Sequence, residues 1–259
     1  MIFSQSRAPW FRCNTALTAR HLRILSVVVF LAAPSLLNAY VIGPSTEKWG
    51  APILGTPGGL VTWSIIPGTA EILPGYPYPY VPLDTFAPLD YAVHLQWAFD
   101  QWSAVANIQF QQVPDSGAGV ATTPDAGVVR FSGIDGISSE ILAFTVGPIG
   151  PFYEAQFAYN STVRFNSDIT WSYSDTGPEY NFDRVALHEI GHALGLGHEQ
   201  DVPSIMNVFY STNLPLGLQP DDIAGAQFLY GPVPEPSYSA VLLIIFVFSV
   251  AGKWGAGRR

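Results

Sequence analysis

The densest group of chemically active side chains in this sequence is the eleven-residue run HEIGHALGLGH that begins at His188. In a helix His188 and His192 lie one turn apart, so both imidazoles project from one face and can bind the same metal ion. Glu189 is rotated by about 100° and can accept a proton from a water on that ion. Gly195 allows a positive φ that ends the helix, so the chain can return and supply His198 as a third ligand. Three protein ligands and a fourth position for water are typical of catalytic rather than structural zinc.

The alternative interpretation is a helix whose histidines are ordinary surface residues. The whole chain has five histidines, and three of them fall at the positions that the motif requires. A bare HExxH occurs by chance, whereas the added glycine and third histidine make a coincidence rare. The motif therefore predicts one metal ion bound by His188, His192 and His198, with Glu189 beside it.

Met206 follows the motif by eight residues, within Ser204-Ile205-Met206. This stretch resembles the Met-turn of the metzincin metallopeptidases, and the chain as a whole is most similar to their matrixin group. The similarity covers most of residues 58–231 and includes Phe182 to His198 as the active-site helix, Leu89 to Val113 as the first helix and next strand, and Leu218 to Gly231 as the closing helix. The resemblance implies an α+β fold of the metzincin (zincin-like) type, with a five-stranded twisted mixed sheet, the active-site helix and two further helices.

The same resemblance implies a zinc metalloendopeptidase that hydrolyses peptide bonds of protein or peptide substrates. It assigns zinc binding to His188, His192 and His198, and it makes Glu189 the group that takes a proton from the zinc-activated water and passes it to the leaving amine. Met206 would pack beneath the ligands without binding the metal. Two alternatives stay open: a catalytically silent zinc-binding module with a structural role in the extracellular matrix, which the intact Glu189 disfavours, and a zinc hydrolase that acts on a non-peptide matrix component.

The sequence departs from vertebrate matrixins in one respect. Those proteins hold a structural zinc with additional histidines between the third and fifth strands, whereas no histidine lies between His94 and His188 here. We therefore expect a single zinc ion, and we interpret His94 as a residue of a helix surface or core edge. The acidic loops could bind calcium or only solvate the surface, and Asp168 is either a calcium ligand or a turn-forming residue.

Three further features near the motif acquire candidate roles from the resemblance. Tyr210 falls near the expected wall of the specificity pocket, where it either binds the scissile carbonyl or only packs. Glu199 follows the third ligand and either supports a ligand from behind or faces solvent. The stretch from Ile141 to Val146 corresponds to the edge strand along which an extended peptide substrate lies.

Local patterns predict the elements that must position these residues. Alternation of apolar and polar residues predicts strands at 61–65, 108–111, 129–131, 142–146 and 163–165. An apolar stripe predicts a helix over 89–105, and a second short amphipathic helix runs from Asp221 to Tyr230. Either Asn181 or Asp183 is expected as the N-cap of the active-site helix.

Charge separates the two ends of the chain from its middle. Residues 40–233 contain four basic and 19 acidic residues, a net charge of −15, whereas the other seven basic residues lie before residue 24 or after residue 252. Such an acidic middle argues against nucleic acid or an anionic membrane surface as a partner. Cys13 is the only cysteine, so it forms no disulfide framework, and we interpret it as incidental.

The ends are interpreted as targeting segments, which divides the chain into four parts. Residues 1–39 have the basic flank, apolar core and small-residue site of a signal peptide, with an uncleaved anchor as the alternative. Residues 40–57 form an N-terminal linker, and residues 58–232 form the metallopeptidase domain. Residues 233–259 contain a Pro-Glu-Pro motif, an apolar run that would form a transmembrane helix, and terminal arginines. This order resembles a PEP-CTERM sorting signal, with a plain tail anchor as the alternative.

The sorting-signal resemblance implies an exported protein whose catalytic domain lies outside the inner membrane. It implies association with the cell envelope or extracellular matrix. The C-terminal segment would hold the protein in the inner membrane until an exosortase-type enzyme processes it.

Overall fold

The structure, a computed structural model, describes residues 40–43, 48–67, 80–115, 129–149 and 160–235. The predicted signal peptide and the apolar run of the predicted sorting segment lie outside these residues. Within the described ranges, the helices are too short or too polar to cross a membrane.

A mixed sheet forms the frame of the domain. Its strands are β1 (Gly59–Ile65), β2 (Tyr80–Val81), β3 (Ile108–Gln112), β4 (Val129–Ile134), β5 (Ala143–Ile149) and β6 (Asn160–Asn166). Five of them follow the order β3-β1-β4-β6-β5, in which β5 is the antiparallel edge strand and the other neighbours are parallel. The predicted mixed sheet of five principal strands is confirmed. Strand β2 is a sixth, which pairs with β4 and is too short for alternation to reveal.

Three α-helices accompany the sheet, as predicted: α1 (Tyr91–Ser103), α2 (Phe182–Ala193) and α3 (Pro220–Tyr230). A single 3₁₀ turn (Leu83–Thr85) precedes α1, and a parallel pair of two-residue strands, β7 (Trp171–Ser172) and β8 (Tyr180–Asn181), precedes α2. Helix α1 begins two residues later than the sequence predicts because Asp90 takes a left-handed conformation with φ of 63°. The sequence pattern gave no sign of β7 and β8.

Aromatic side chains fix α1 and α2 to the sheet. Trp63 of β1 stacks on Phe99 of α1 with ring centroids 5.2 Å apart, and Phe165 of β6 stacks on Phe182 of α2 at 4.5 Å. The indole nitrogen of Trp102 donates to the carbonyl of Leu187, which joins α1 to α2. Full burial of each large apolar side chain contributes about 1.5–3 kcal/mol, so these contacts hold the active-site helix in one position.

The opposite face of the sheet carries a buried polar layer. By strand alternation, Arg130, Ser132, Thr162 and Arg164 share this face, and all are buried. Arg130 forms an ion pair with Asp115 at 2.7 Å, and the guanidinium of Arg164 lies over a tyrosine ring of β2 at 3.5 Å. The two faces of the sheet therefore have different chemistry, and the motif lies on the side of the apolar one.

Candidate active site

Helix α2 begins and ends as its sequence predicts. The side chain of Asn181 accepts a hydrogen bond from the backbone amide of Arg184 at 3.1 Å, so Asn181 rather than Asp183 is the N-cap. Gly195 has a φ of 100°, a value that side chains other than glycine rarely allow. The chain turns there and brings His198 back toward the helix.

The three predicted ligands converge on one point. The Nε2 atom of His198 lies 3.3 Å from Nε2 of His188 and 3.1 Å from Nε2 of His192. Tetrahedral zinc with bonds of about 2.0–2.1 Å separates its ligand nitrogens by about 3.3–3.4 Å. The donor set and its spacing therefore fit zinc. In the described part of the chain, these histidines are the one group of three or more His, Cys, Asp or Glu residues close enough to share an ion.

Backbone carbonyls set the tautomer of two of these imidazoles. Nδ1 of His188 donates to the carbonyl of Ile205 at 2.7 Å, and Nδ1 of His192 donates to that of Leu196 at 2.8 Å. The proton on Nδ1 leaves the Nε2 lone pair available for a metal. Burial lowers the pKa of His188 to about 3 and that of His192 to about 4, and it also lowers the pKa of His198. The imidazoles are therefore neutral at neutral pH, the form that binds metals.

Glu189 lies next to the first histidine with only 4% of its surface exposed. Burial raises the pKa of Glu189 to about 7, while a hydrogen bond from Thr145 opposes that rise. Thr145 of β5 donates from Oγ1 to Oε2 of the glutamate at 2.6 Å. A carboxyl group with a pKa near neutral pH can both accept and return a proton.

Met206 packs under the helix, as the predicted Met-turn requires. It is buried, and a Cβ atom on Gly191 would lie only 2.3 Å from its sulfur and 3.0 Å from the ring of Trp102. A side chain at position 191 would force Met206 to shift, so the glycine inside the HEIGH run lets the sulfur lie close against the helix. The turn around Met206 also supplies the Ile205 carbonyl that orients the first ligand.

Asp222 of α3 holds that turn, a role that the sequence did not reveal. Its buried carboxylate accepts hydrogen bonds from the Ser204 hydroxyl, from the amide of Ile205 at 2.9 Å and from the amide of Met206 at 3.3 Å. It also accepts a hydrogen bond from the backbone amide of Gln219, the N-cap residue of α3.

Residues near the start of the described chain contact the segment that follows α2. Residues 41–43 pair with residues 195–197 through bonds from Gly43 N to Gly195 O and from Gly197 N to Val41 O, both 2.8 Å long. Trp49 donates its indole N–H to the carbonyl of Ala193 at 2.8 Å. The sequence assigned residues 40–57 to a linker, but their described part contacts the segment between the second and third histidines.

A cavity of about 650 Å³ opens beside the histidines. Residues 140–143, which lead into the edge strand β5, form one wall, and a substrate along this strand stays a prediction. The lining comprises residues 140–143, the α2 residues Arg184, Val185, His188 and Glu189, and, from the chain after the helix, His198, Ser204, Ile205, residues 207–211 and Leu214.

The structure rules out a solvent-facing Glu199 and shows which group the hydroxyl of Tyr210 binds. Glu199 is 2% exposed, so it does not face solvent, and its carboxylate accepts the amide of Asp201 at 2.6 Å. Tyr210 lines the cavity, but its hydroxyl accepts the backbone amide of Asn181 at 3.0 Å. Tyr210 therefore packs against the start of α2.

His94 and Asp168 lie outside the cavity. His94 lies at the edge of α1, as predicted, where Nδ1 is 2.7 Å from a carboxylate oxygen of Asp183 and the ring stacks on Tyr173 at 3.5 Å. Asp168 accepts the amide of Gly136 at 2.7 Å and so connects two turns.

Comparisons with known proteins agree with this geometry. The family model described as Matrixin matches residues 84–231, more than half of the chain. The chain is similar to the interstitial collagenase of Oryctolagus cuniculus, with 30% identity over 61% of this chain and 31% of that protein. It is 36% identical to the matrix metalloproteinase-19 of Homo sapiens over 57% of this chain and 27% of that protein. It is 32% identical to the metalloendoproteinase 1-MMP of Arabidopsis thaliana over 59% of this chain and 41% of that protein.

The chain thus spans less than half the length of these curated relatives. Matrixins bind zinc, and the three converging histidines provide a site of that kind. The family match and the arrangement of motif, Met-turn and edge strand show that the chain belongs to the matrixin family.

Proposed function

We propose that this chain is a zinc-dependent endopeptidase that hydrolyses peptide bonds of extracellular or cell-envelope proteins. The observation that carries the proposal is the convergence of three neutral imidazoles beside a buried carboxyl group, in a cavity bordered by an open sheet edge. Family membership supports metallopeptidase chemistry in general.

The proposed mechanism assigns one task to each group. His188, His192 and His198 would hold one zinc ion, which supplies a Lewis acid that acidifies water and polarises a carbonyl. Glu189 accepts the proton of the attacking water on a carboxylate oxygen and then donates it to the nitrogen of the leaving amine. Met206 and the carbonyls of the surrounding turn hold the imidazoles in place.

The cavity favours a substrate with a long apolar side chain. Leu142, Val185 and Leu214 line it, together with the ring of Tyr210. Arg184 also lines it, but its guanidinium is paired with Asp175 at 2.7 Å and donates to the carbonyl of Leu214 at 3.0 Å. The positive charge is therefore balanced, and an acidic substrate side chain gains little there.

The proposal extends to the ends of the chain, on the strength of their sequence alone. Residues 1–39 direct export, and residues 58–232 form the peptidase domain behind the segment 40–57. Residues 233–259 tether the domain in the inner membrane until an exosortase-type enzyme acts, which places the domain in the envelope or extracellular matrix. Bound calcium stays a prediction from the acidic loops.

The test is hydrolysis of an unfolded protein and of a peptide library by the full chain loaded with zinc. Glu189→Gln keeps the size of the side chain but removes the proton acceptor, so we expect kcat to fall by about 10²–10⁴-fold with an unchanged zinc content. The library should show a preference for long apolar residues next to the cleaved bond. A wild-type chain that holds zinc and cleaves no peptide would overturn the proposal and favour the silent zinc-binding module.

A further inference from the structure

Thr145 lies where strand β5 meets the active-site helix. Its cross-strand partner is Val163, so its side chain lies on the face of the sheet that packs against α2. The hydroxyl is 2.6 Å from Oε2 of Glu189 and 3.0 Å from the backbone carbonyl of the same residue. Both hydrogen-bond acceptors of this side chain therefore belong to the glutamate.

Packing alone does not account for a hydroxyl at this position. The neighbouring positions on the same face are Ala143, Val163 and Phe165, which are apolar. A hydroxyl placed among apolar groups costs free energy unless it forms a hydrogen bond, and valine would fill the same space without that cost. What threonine adds over valine here is its bond to Glu189.

We infer that Thr145 is a positioning residue that holds the carboxylate of Glu189 in one orientation for proton transfer. The inference rests on the proposed function. Glutamate has a flexible side chain, and a bond from a hydroxyl on a rigid strand fixes Oε2 while Oε1 accepts the proton of the attacking water. Since β5 also borders the cavity, the bond fixes this carboxylate relative to the strand beside which a substrate lies.

Two substitutions at this position test the inference in the full-length, zinc-loaded chain. Thr145→Val keeps the β-branched shape and removes the hydroxyl, whereas Thr145→Ser keeps the hydroxyl. For the valine variant we expect kcat to fall by about 10- to 100-fold, the effect of losing one hydrogen bond to a charged group, with KM changed by less than about threefold. The serine variant should keep kcat within about threefold of the wild type.

Thr162→Val is the matched control. Thr162 lies on the adjacent strand β6, and its buried hydroxyl makes no hydrogen bond within the described part of the chain. The same chemical change there should leave kcat, KM and zinc content unaltered. Equal loss of activity in both valine variants would overturn the inference. The effect of Thr145→Val would then come from a general disturbance of the sheet and not from the lost bond to Glu189.

Crystal structures of the metal-free variants give a readout that does not depend on activity. The carboxylate of Glu189 should keep its place in Thr145→Ser and leave it in Thr145→Val. An unmoved carboxylate with wild-type kcat in Thr145→Val overturns the inference. An inactive wild type counts against the proposed function instead, and the position of the carboxylate still decides whether Thr145 holds it.

Discussion

The two ends of helix α2 are held by different chemistry. At its start, the polar contacts are the Asn181 cap and the Arg184–Asp175 ion pair, which are local in the sequence, and the hydroxyl of Tyr210, which binds the amide of Asn181. At its end, the last carbonyls are bound by side chains from remote segments. Trp49 donates to the carbonyl of Ala193, and Tyr230 donates to that of Leu194 at 2.6 Å.

Because of this difference, we expect contacts at the end of α2 to affect metal binding and contacts at its start to affect stability alone. The end of α2 leads directly into Leu196, whose carbonyl orients the second histidine, and then into His198. Loss of a contact there should disturb the ligands themselves. Loss of a contact at the start of the helix should destabilise the fold but leave the three ligand nitrogens in place.

The largest effect is expected for Trp49→Phe. The change leaves the buried carbonyl of Ala193 without its donor and removes some volume, so we expect the free energy of unfolding to fall by about 2–4 kcal/mol and the zinc Kd to rise about tenfold. Urea denaturation of the metal-free protein and competition with a chelator measure the two quantities.

Trp63→Phe is the control for this substitution. Trp63 is equally buried, but its indole N–H makes no hydrogen bond within the described residues. We expect it to cost about 1 kcal/mol through lost volume, with an unchanged zinc Kd. A similar loss of zinc affinity in both variants would show that the contacts at the end of α2 have no special effect on metal binding.

A pH-dependent effect of intermediate size is expected from Lys48, beside Trp49. It is 1% exposed, donates to the carbonyls of Trp49 and Ala51, and burial lowers its pKa to about 8 from 10.5. Between pH 8 and 10.5 the unfolded chain binds more protons at this lysine than the folded chain does. The free energy of unfolding should therefore rise with pH over this range, by on the order of 1–3 kcal/mol in total.

The measurement is urea denaturation at several pH values between 7.5 and 10.5, compared with Lys48→Met. Methionine has a similar length and does not titrate, so the variant should lack this part of the slope. Equal slopes in the two proteins would show that burial does not lower the pKa of this lysine.

The smallest effect is expected for Tyr210→Phe at the start of α2. The hydroxyl binds the amide of Asn181, so its removal should cost about 0.5–1.5 kcal/mol and leave zinc affinity and kcat within about threefold of the wild type. Thermal denaturation measures the loss of stability, peptide hydrolysis measures kcat, and competition with a chelator measures zinc affinity. A tenfold loss of kcat without loss of stability would assign the hydroxyl to substrate binding instead.

Much of the site could be predicted because its ligands lie in one short stretch. The spacing of His188, His192 and His198 depends on helix geometry and on one glycine turn, both of which are local properties. The Asn181 cap and the principal strands are local as well. Strands of two residues, such as β2 and β7, carry no detectable alternation and were missed.

The remaining contacts depend on tertiary structure. Thr145 meets Glu189 only because β5 lies along the helix, and Trp49 meets Ala193, which lies 144 positions later in the chain. Asp222 binds the Met-turn only because α3 packs against it, which no local pattern of the sequence predicts. Burial of Glu199 was likewise open from the sequence, since a charged residue after a motif is exposed more often than not.

The pairing of the first and last segments behind the motif has a consequence for folding. Trp49 precedes His198 by 149 residues and Tyr230 follows it by 32, so the side chains that support the helix end come from both sides of the motif. Contacts between such distant residues slow folding and form late. A chain that has emerged only as far as His198 carries all three histidines but lacks the Tyr230 hydroxyl. The support of the segment that carries His198 is therefore complete only once the chain has been synthesised as far as Tyr230, so we expect tight zinc binding only in the finished domain.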